Sequence, residues 1–398
     1  MLLCEKNKCT GCGLCKEVCP KQAISFEYDR LGFRYPHIEA EKCVECGLCS
    51  KKCPELNPVD KEERNVCYLA WAKNDFIHFE SASGGLSYML AQRTIEQGGF
   101  SVGCVWDDDY NAILRVVNNL DDLNKTRGSK YVQSYITPNT WKEIRLRLCN
   151  GQRGIFFGLP CQVAAMKSYL GRKDGLVYCD ILCHGGFSPL VHHQHIVHIR
   201  NKKKLKNSKI NDIRFRGGKY DFFYTLWDKD KVRYINDSES DTYFYSFHRH
   251  YLFRNACYSC SYAGAERLSD ITIGDFWGIN QDFIKNKHTL NGMNLVLAHT
   301  EKGIKLLEEL KEDIELFERS FDEAIIGNEE NLVSRDGEPA KRNEILNRMK
   351  EVGFEKAIEQ DEDFQVAARI GKRRNIRVRI KNMLPQWCIN IIKTFKKK

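Results

Sequence analysis

The sequence predicts a mixed α/β class, α+β or α/β, in which a small cysteine-stapled module precedes a larger body. Three observations carry that expectation. The chain of 398 residues is 42% hydrophobic and 29% charged, a globular composition with room for two or three domains at ~150 residues each. Nine of its 18 cysteines fall within residues 1–53. Beyond them, short apolar runs alternate with segments of helical length and periodicity.

The N-terminal cysteines form two copies of one pattern: Cys9-x2-Cys12-x2-Cys15-x3-Cys19-Pro20 and Cys43-x2-Cys46-x2-Cys49-x3-Cys53-Pro54. This is the spacing of bacterial two-cluster ferredoxins. Three thiolates on a tight loop cap three irons of one cubane, and the fourth, starting a helix that turns away, reaches the other. Cys9, Cys12, Cys15 and Cys53 are therefore assigned to one 4Fe–4S cluster, and Cys43, Cys46, Cys49 and Cys19 to the second. A pair of zinc sites is the alternative for C-x2-C pairs, but two matched runs of four favour iron–sulfur. A segment of 1–58 is too short to fold on apolar burial alone, so the clusters act as its staples. Phe26, Tyr28, Phe33 and Tyr35 read as a hairpin over them. Glu55 to Asn65, with Pro58 and six charged residues, reads as a linker.

The net charge of +9 is local, because Gly371 to Lys398 holds ten Lys and Arg and no acid. The rest is close to neutral, which excludes a general nucleic-acid face. Basic residues among Ile376, Trp387 and Ile391 suit peripheral contact with anionic lipid at the inner membrane face, and equally a solvated basic C-terminus. No apolar signal segment follows Met1 and no run approaches the ~18 residues of a membrane span. The expectation is a cytoplasmic protein whose cysteines serve metal or redox chemistry.

In the body, Val66–Lys73 reads as a strand and Leu86–Gln97 as a helix stopped by Gly98-Gly99. Phe100–Trp106 and Ala112–Asn118 read as strands, Trp141–Leu148 as helix and Gly154–Gly158 as strand. Pro160 opens a helix that Gly171 ends. Leu176–Leu182 is a buried strand, Pro189–Arg200 a helix, Ile210–Phe215 a strand and Phe222–Ile235 a hairpin. Leu268–Ile273 and Asn294–Ala298 are further strands, with a helix from Gly303 to about Glu312. After Phe317 the chain turns charged and helical. By motif the domains are 1–58, 66–148, 150–320 and 321–398.

Several body motifs bear chemistry. Ser81-Ala82-Ser83-Gly84-Gly85 offers backbone N–H groups at a helix start, suited to a phosphate, or simply a cap. Arg127-Gly128-Ser129-Lys130-Tyr131-Val132-Gln133-Ser134 mixes cations, amide and hydroxyls. Cys161 sits at a helix start, where a thiol's pKa is lowered. Cys183-His184 follows a strand end, where α/β sheets place ligands, and Cys257-x2-Cys260 is a two-thiol clip. Cys161, Cys183, Cys257 and Cys260 together make the four thiolates of a third 4Fe–4S cluster. His184 is an alternative ligand and Cys179 rivals Cys183, since both face one side of an extended strand. The other cysteines, including Cys4, have no patterned partner.

With Ser83-Gly84-Gly85, Gly128-Ser129-Lys130-Tyr131-Val132-Gln133-Ser134, Pro160-Cys161-Gln162, Cys183-His184-Gly185, Cys257-x2-Cys260 and the run Asp270 to Gly278 in this order, roughly residues 1–300 resemble the coenzyme F420 hydrogenase/dehydrogenase beta-subunit family. That family also takes in plant-type 7-hydroxymethyl chlorophyll reductases. The resemblance implies a flavin- and cluster-binding body with FAD fed by 4Fe–4S clusters. Ser83, Gly84, Gly85, Gly128, Ser129, Lys130, Tyr131 and Gln133 are its flavin-site candidates, with Asp270–Gly278 part of the wall. Cys161, Cys183, Cys257 and Cys260 fit its cluster cysteines. One departure is Leu159, where the family often has Thr, which removes one hydroxyl.

The expected function is an iron–sulfur flavoprotein oxidoreductase passing electrons between ferredoxin or another redox protein and a small-molecule substrate or deazaflavin coenzyme. Lys130, Asp180 and His184 are the catalytic candidates: Lys130 for stabilising an anionic reduced flavin, the other two as proton donors. The alternatives are a non-autonomous electron-transfer subunit of a larger complex and a reductase in polysaccharide biosynthesis.

Overall fold

The computed structural model describes residues 3–62, 66–171, 173–205, 208–280, 283, 292–335 and 337–383. It is mixed α/β and divides into two compact units. The first comprises Met1–His193, Arg216–Asp221 and Leu252–Glu338, and the second Gln194–Phe215, Phe222–Tyr251 and Pro339–Lys398. The motif-based division follows chain order, whereas this spatial grouping interleaves segments.

The first unit opens with the hairpin expected from its aromatics. Strand β1 (Ile24–Tyr28) pairs antiparallel with β2 (Arg34–Ile38), Ile24 opposite Ile38. The body of this unit is one nine-stranded sheet. Taken across the sheet, its strands are β14 (Ile314–Arg319), β3 (Val66–Ala72), β13 (Asn294–Ala298), β12 (Ile271–Asp275), β8 (Leu176–Ile181), β7 (Gly154–Gly158), β4 (Phe100–Trp106), β5 (Ala112–Val117) and β6 (Tyr135–Ile136). The centre, β12-β8-β7-β4, is parallel and the flanking pairs β12-β13, β13-β3, β3-β14 and β4-β5 are antiparallel. Parallel strands are covered on both faces, which is why β7 and β8 are apolar runs. One face packs Phe100, Phe156, Met166 and Trp141, and the other Leu90, Cys179, Ile271 and Val296.

Two helices position the site. Helix Leu86–Glu96 starts after Gly85, whose φ of 86° requires glycine. Helix Pro160–Leu170 begins directly after β7 and stops at Gly171. At its start Gln162 accepts from the Leu159 N–H at 2.9 Å and donates to Ser134.

The segment read as a linker is pinned through Glu62. The Glu62 N–H donates to the Arg267 carbonyl at 2.6 Å, and Ser261 donates to the Glu55 carboxylate. Lys52 and Ser168 exchange hydrogen bonds with each other's carbonyls at 2.6 and 2.8 Å. The N-terminal module is thus strapped to the body.

The second unit packs the sheet of β9 (Asp212–Arg214), β10 (Phe223–Asp228) and β11 (Lys231–Asp237) with helices that include Thr242–His248, Phe354–Glu359 and Glu362–Met383. Inside it, His195 is 2% exposed between the Glu355 carboxylate at 2.6 Å and that of Asp241 at 3.3 Å. Burial pulls its pKa down, but Asp241 and Glu355 outweigh it and raise it to about 10. A group raised in the folded state above its usual ~6.5 stabilises fully below that pH and loses the contribution as pH rises toward 10. Unfolding free energy in urea is therefore expected to fall by about 3–5 kcal/mol between pH 6.5 and 10. His195→Gln should flatten that slope; a wild-type minus variant difference independent of pH would contradict it.

The basic segment 384–398, with Trp387, Ile391 and Cys388, lies outside the described residues. No helix among the described residues is long and apolar enough to cross a membrane.

Candidate functional site

The two cysteine runs fold as matched loops. Gly13 and Gly47, at φ 89° and 71°, turn the chain into the short helices Leu14–Glu17 and Leu48–Lys51. The crossed arrangement expected from the spacing brings Cys9, Cys12, Cys15 and Cys53 around one hollow and Cys19, Cys43, Cys46 and Cys49 around another, with Cys49 bordering both. Cys4, which the pattern left unpartnered, lines the first hollow beside Cys53. Among the described residues no three His, Cys, Asp or Glu side chains are arranged to hold a single metal ion.

A third hollow gathers Cys161, Cys183 and the clip Cys257 and Cys260 from three separate places in the chain. Burial, then the neighbouring Cys183, Cys260 and Cys257, raises the Cys161 thiol well above its usual range. The helix-start expectation of a lowered pKa is thus corrected: burial and crowding by three thiols outweigh the helix terminus. The Gly186 N–H donates to Cys257 Sγ at 3.3 Å, a bond that favours thiolate. Arg335, at 5% side-chain exposure, donates to the Cys183 carbonyl at 2.9 Å and to that of His184. Cys179 is fully buried in the apolar layer with Ile271 and Val296 and does not line this hollow. The strand ends at Ile181, so the chain turns before Cys183 and separates the two rivals.

Beside this hollow, a cleft of ≈ 300 Å³ opens at the carboxyl ends of β7, β8 and β12, where open α/β sheets bind ligands. Of the eight flavin candidates, Ser83, Gly85, Gly128, Ser129, Lys130 and Tyr131 line it. Gly84 and Gln133 do not. Gly84 packs into the sheet, where a Cβ would lie 2.5 Å from the Ala70 carbonyl and 2.9 Å from the Asn294 nitrogen. Gln133, 5% exposed, turns toward the thiols and bonds the Thr10 carbonyl and Arg254. The helix N-terminus is also partly taken, since the Leu86 N–H donates to Asn294 Oδ1 at 3.0 Å. From the Asp270–Gly278 run, Ile273, Gly274, Asp275 and Trp277 reach the cleft. Asp270 instead accepts from the Tyr178 N–H and Thr300, tying strand to helix.

The catalytic candidates divide. Lys130 stands in the wall, its ammonium folded onto the Arg127 carbonyl at 3.0 Å and the Gly128 carbonyl at 3.4 Å. His184 lines the wall where β8 ends. Asp180 is fully buried, away from the cleft, ion-paired to Arg267 at 2.8 Å and accepting from Thr272. Its reading as a proton donor is withdrawn, because the carboxylate is committed to a structural pair.

Sequence reasoning missed Arg216. Its guanidinium, 4% exposed, holds Asp275 at 2.9 Å, Asp221 at 2.7 Å and the Ala82 carbonyl at 2.6 Å. Only its sequence Arg216-Gly217-Gly218 hinted at a role. Three buried polar atoms of the lining, Ser83 Oγ, Ser101 Oγ and Arg127 Nε, have no hydrogen-bond partner among the described residues. Each such group costs about 1–3 kcal/mol, a cost that a polar ligand removes. The donor set therefore fits an anionic, hydrogen-bonding cofactor. A separate hollow of ≈ 600 Å³ lies within the second unit and none of the motif residues lines it.

Residues 8–56 match the family model of the 4Fe-4S dicluster domain. Residues 151–324 match the model for the C-terminal region of the coenzyme F420 hydrogenase/dehydrogenase beta subunit. No curated protein matches the chain. Among solved structures, a chain of the F420-reducing NiFe hydrogenase complex from Methanosarcina barkeri is similar at 16% identity and a TM-score of 0.47, covering 73% of this chain and 94% of that one. By its two family matches the chain is an iron–sulfur electron-transfer protein related over residues 151–324 to the coenzyme F420 hydrogenase/dehydrogenase beta subunits, with an N-terminal 4Fe-4S dicluster domain.

Proposed function

We propose that the chain is a flavin-dependent iron–sulfur oxidoreductase. Cys9, Cys12, Cys15 and Cys53 would hold one 4Fe–4S cluster, Cys19, Cys43, Cys46 and Cys49 a second, and Cys161, Cys183, Cys257 and Cys260 a third. FAD would occupy the cleft. Its partners are a ferredoxin-type carrier and a small organic substrate or deazaflavin coenzyme.

The observation that carries this reading is adjacency. Thr10, between Cys9 and Cys12, lines the hollow of the inner thiols, and Leu159, close to Cys161 in the chain, lines both that hollow and the cleft. A bound flavin exchanges single electrons with iron–sulfur centres and a hydride with an organic partner. The chain's own residues bind and orient. Ser83, Ser101 and Arg127 offer their unpaired groups to the cofactor. Arg127 is held over the Tyr88 ring, 4.0 Å from its centroid. Lys130 keeps fixed positive charge at the wall, which favours an anionic ligand, and Arg216 fixes the Asp275 carboxylate there. His184 is the remaining candidate for moving a proton to substrate.

Purified protein given reduced ferredoxin and coenzyme F420 is expected to change the deazaflavin absorbance. No change with an intact flavin rejects F420 as the substrate and leaves another small molecule or sugar precursor.

A further inference from the structure

Arg254 is 1% exposed, and among the described residues no carboxylate lies within ion-pair distance of it. Burying a cation without a counter-charge is costly. Its hydrogen bonds go to neutral groups: Nη1 to the Cys9 carbonyl at 3.0 Å, Nη2 to the Arg34 carbonyl at 2.9 Å and Nε to Gln133 Oε1 at 2.8 Å. Its guanidinium lies over the Phe33 and Tyr35 rings, 4.9 and 4.6 Å from their centroids. Gly11 is glycine for this contact, since a Cβ there would meet Nη2 at 2.5 Å.

The position explains the missing acid. Arg254 immediately precedes the turn Asn255–Ser259 that carries Cys257, and its carbonyl accepts from the Cys257 N–H at 2.9 Å. Its side chain reaches back to the loop of Cys9. It therefore stands between one thiol of the first ferredoxin hollow and one of the inner hollow. A second arginine, Arg34, braces the same loop through the Gly11 and Cys12 carbonyls at 3.0 and 3.3 Å. The hollow of Cys19, Cys43, Cys46 and Cys49 has only the exposed Lys21 as a cation in its lining.

We propose that Arg254 is the shared counter-cation of the first ferredoxin cluster and the inner cluster. This rests on the reading that Cys161, Cys183, Cys257 and Cys260 hold a cluster. A nearby cation stabilises the reduced, more negative state of a cluster and raises its potential. Electrons entering at the outer cluster, the second ferredoxin cluster of Cys19, Cys43, Cys46 and Cys49, would thereby be drawn inward. Each transfer oxidises the outer cluster by one electron and reduces the first by one, with no proton moved. The external one-electron carrier supplies the electron.

The test is an EPR-monitored redox titration of the anaerobically purified holoprotein as wild type, Arg254→Lys and Arg254→Gln, with iron counted in each. In Arg254→Gln the ratio of reduced to oxidised first and inner clusters at fixed potential should fall about tenfold, ~59 mV for one electron. The outer cluster should move less than about twofold, since none of the groups that Arg254 bonds lines its hollow. Arg254→Lys should restore most of the shift. About twelve irons in the wild type with unmoved or uniformly moved potentials overturns the counter-cation role alone. About eight irons in the wild type overturns the inner cluster and, with it, the shared role. If Arg254→Gln loses iron, the wild-type potentials decide: the outer cluster must be lowest, and finding it highest overturns the proposal.

Discussion

Cys257→Ser is expected to remove about four irons per chain and to slow bleaching of the bound flavin by a reduced one-electron carrier more than about a hundredfold. Cys257 has no role in the ferredoxin hollows. It lines the inner one, and its sulfur accepts from the Gly186 N–H. Serine fits the same space but is a poor ligand for a soft iron–sulfur centre. The control is Cys179→Ser. That thiol is fully buried in the sheet's apolar layer, so the substitution should cost about 1–3 kcal/mol for a buried hydroxyl and leave iron and flavin bleaching unchanged. Iron measured by colorimetry and bleaching by stopped flow separate the two. Retention of iron in Cys257→Ser with loss in Cys179→Ser would reverse the ligand assignment.

Asp180→Ala should destabilise the protein by about 3–5 kcal/mol, the cost of stranding a buried partner charge. The stranded group is Arg267, whose side chain is 2% exposed and donates to Asp180 at 2.8 Å. Arg267 also holds the Tyr262 carbonyl at 3.1 Å, and its backbone pairs with Glu62. Its collapse therefore loosens the strap of the N-terminal module. Replacing the pair together, Asp180→Leu with Arg267→Met, should recover most of the loss. Urea unfolding under anaerobic conditions measures both. A proton donor would behave differently: Asp180→Ala would keep its stability and lose turnover.

The parts of the site legible in the sequence are those whose chemistry is local. Eight cysteines in two matched runs declare their loops because three ligands of each cluster come from one turn of chain. The strands β4, β7, β8 and β12 declare themselves by apolar runs, since both faces of a parallel centre are covered. The inner four thiols are legible only as a sum, because Cys161, Cys183 and the clip of Cys257 and Cys260 are far apart in the chain. Parity along an extended strand cannot separate Cys179 from Cys183 when the strand ends between them. Gln133 shares one sequence motif with Lys130 and Tyr131, yet its side chain turns from the cleft to the Thr10 carbonyl. β14 escapes a sequence reading because Ile314–Arg319 is an edge strand rich in charge, which reads as helix. Arg216 and Arg254 are illegible because most of their partners lie tens or hundreds of residues away, as Ala82 does from Arg216 and Cys9 from Arg254. Asp180 looks reactive at a strand end, and only its pairing with Arg267 shows that its charge is spent in the fold.

The central claim is that one chain joins two ferredoxin clusters to an inner cluster and a flavin cleft. Anaerobic purification with iron, sulfide and flavin counted per chain tests it most directly. About twelve irons, about twelve sulfides and one flavin are predicted. About eight irons and no flavin would contradict the inner cluster and the flavin cleft together.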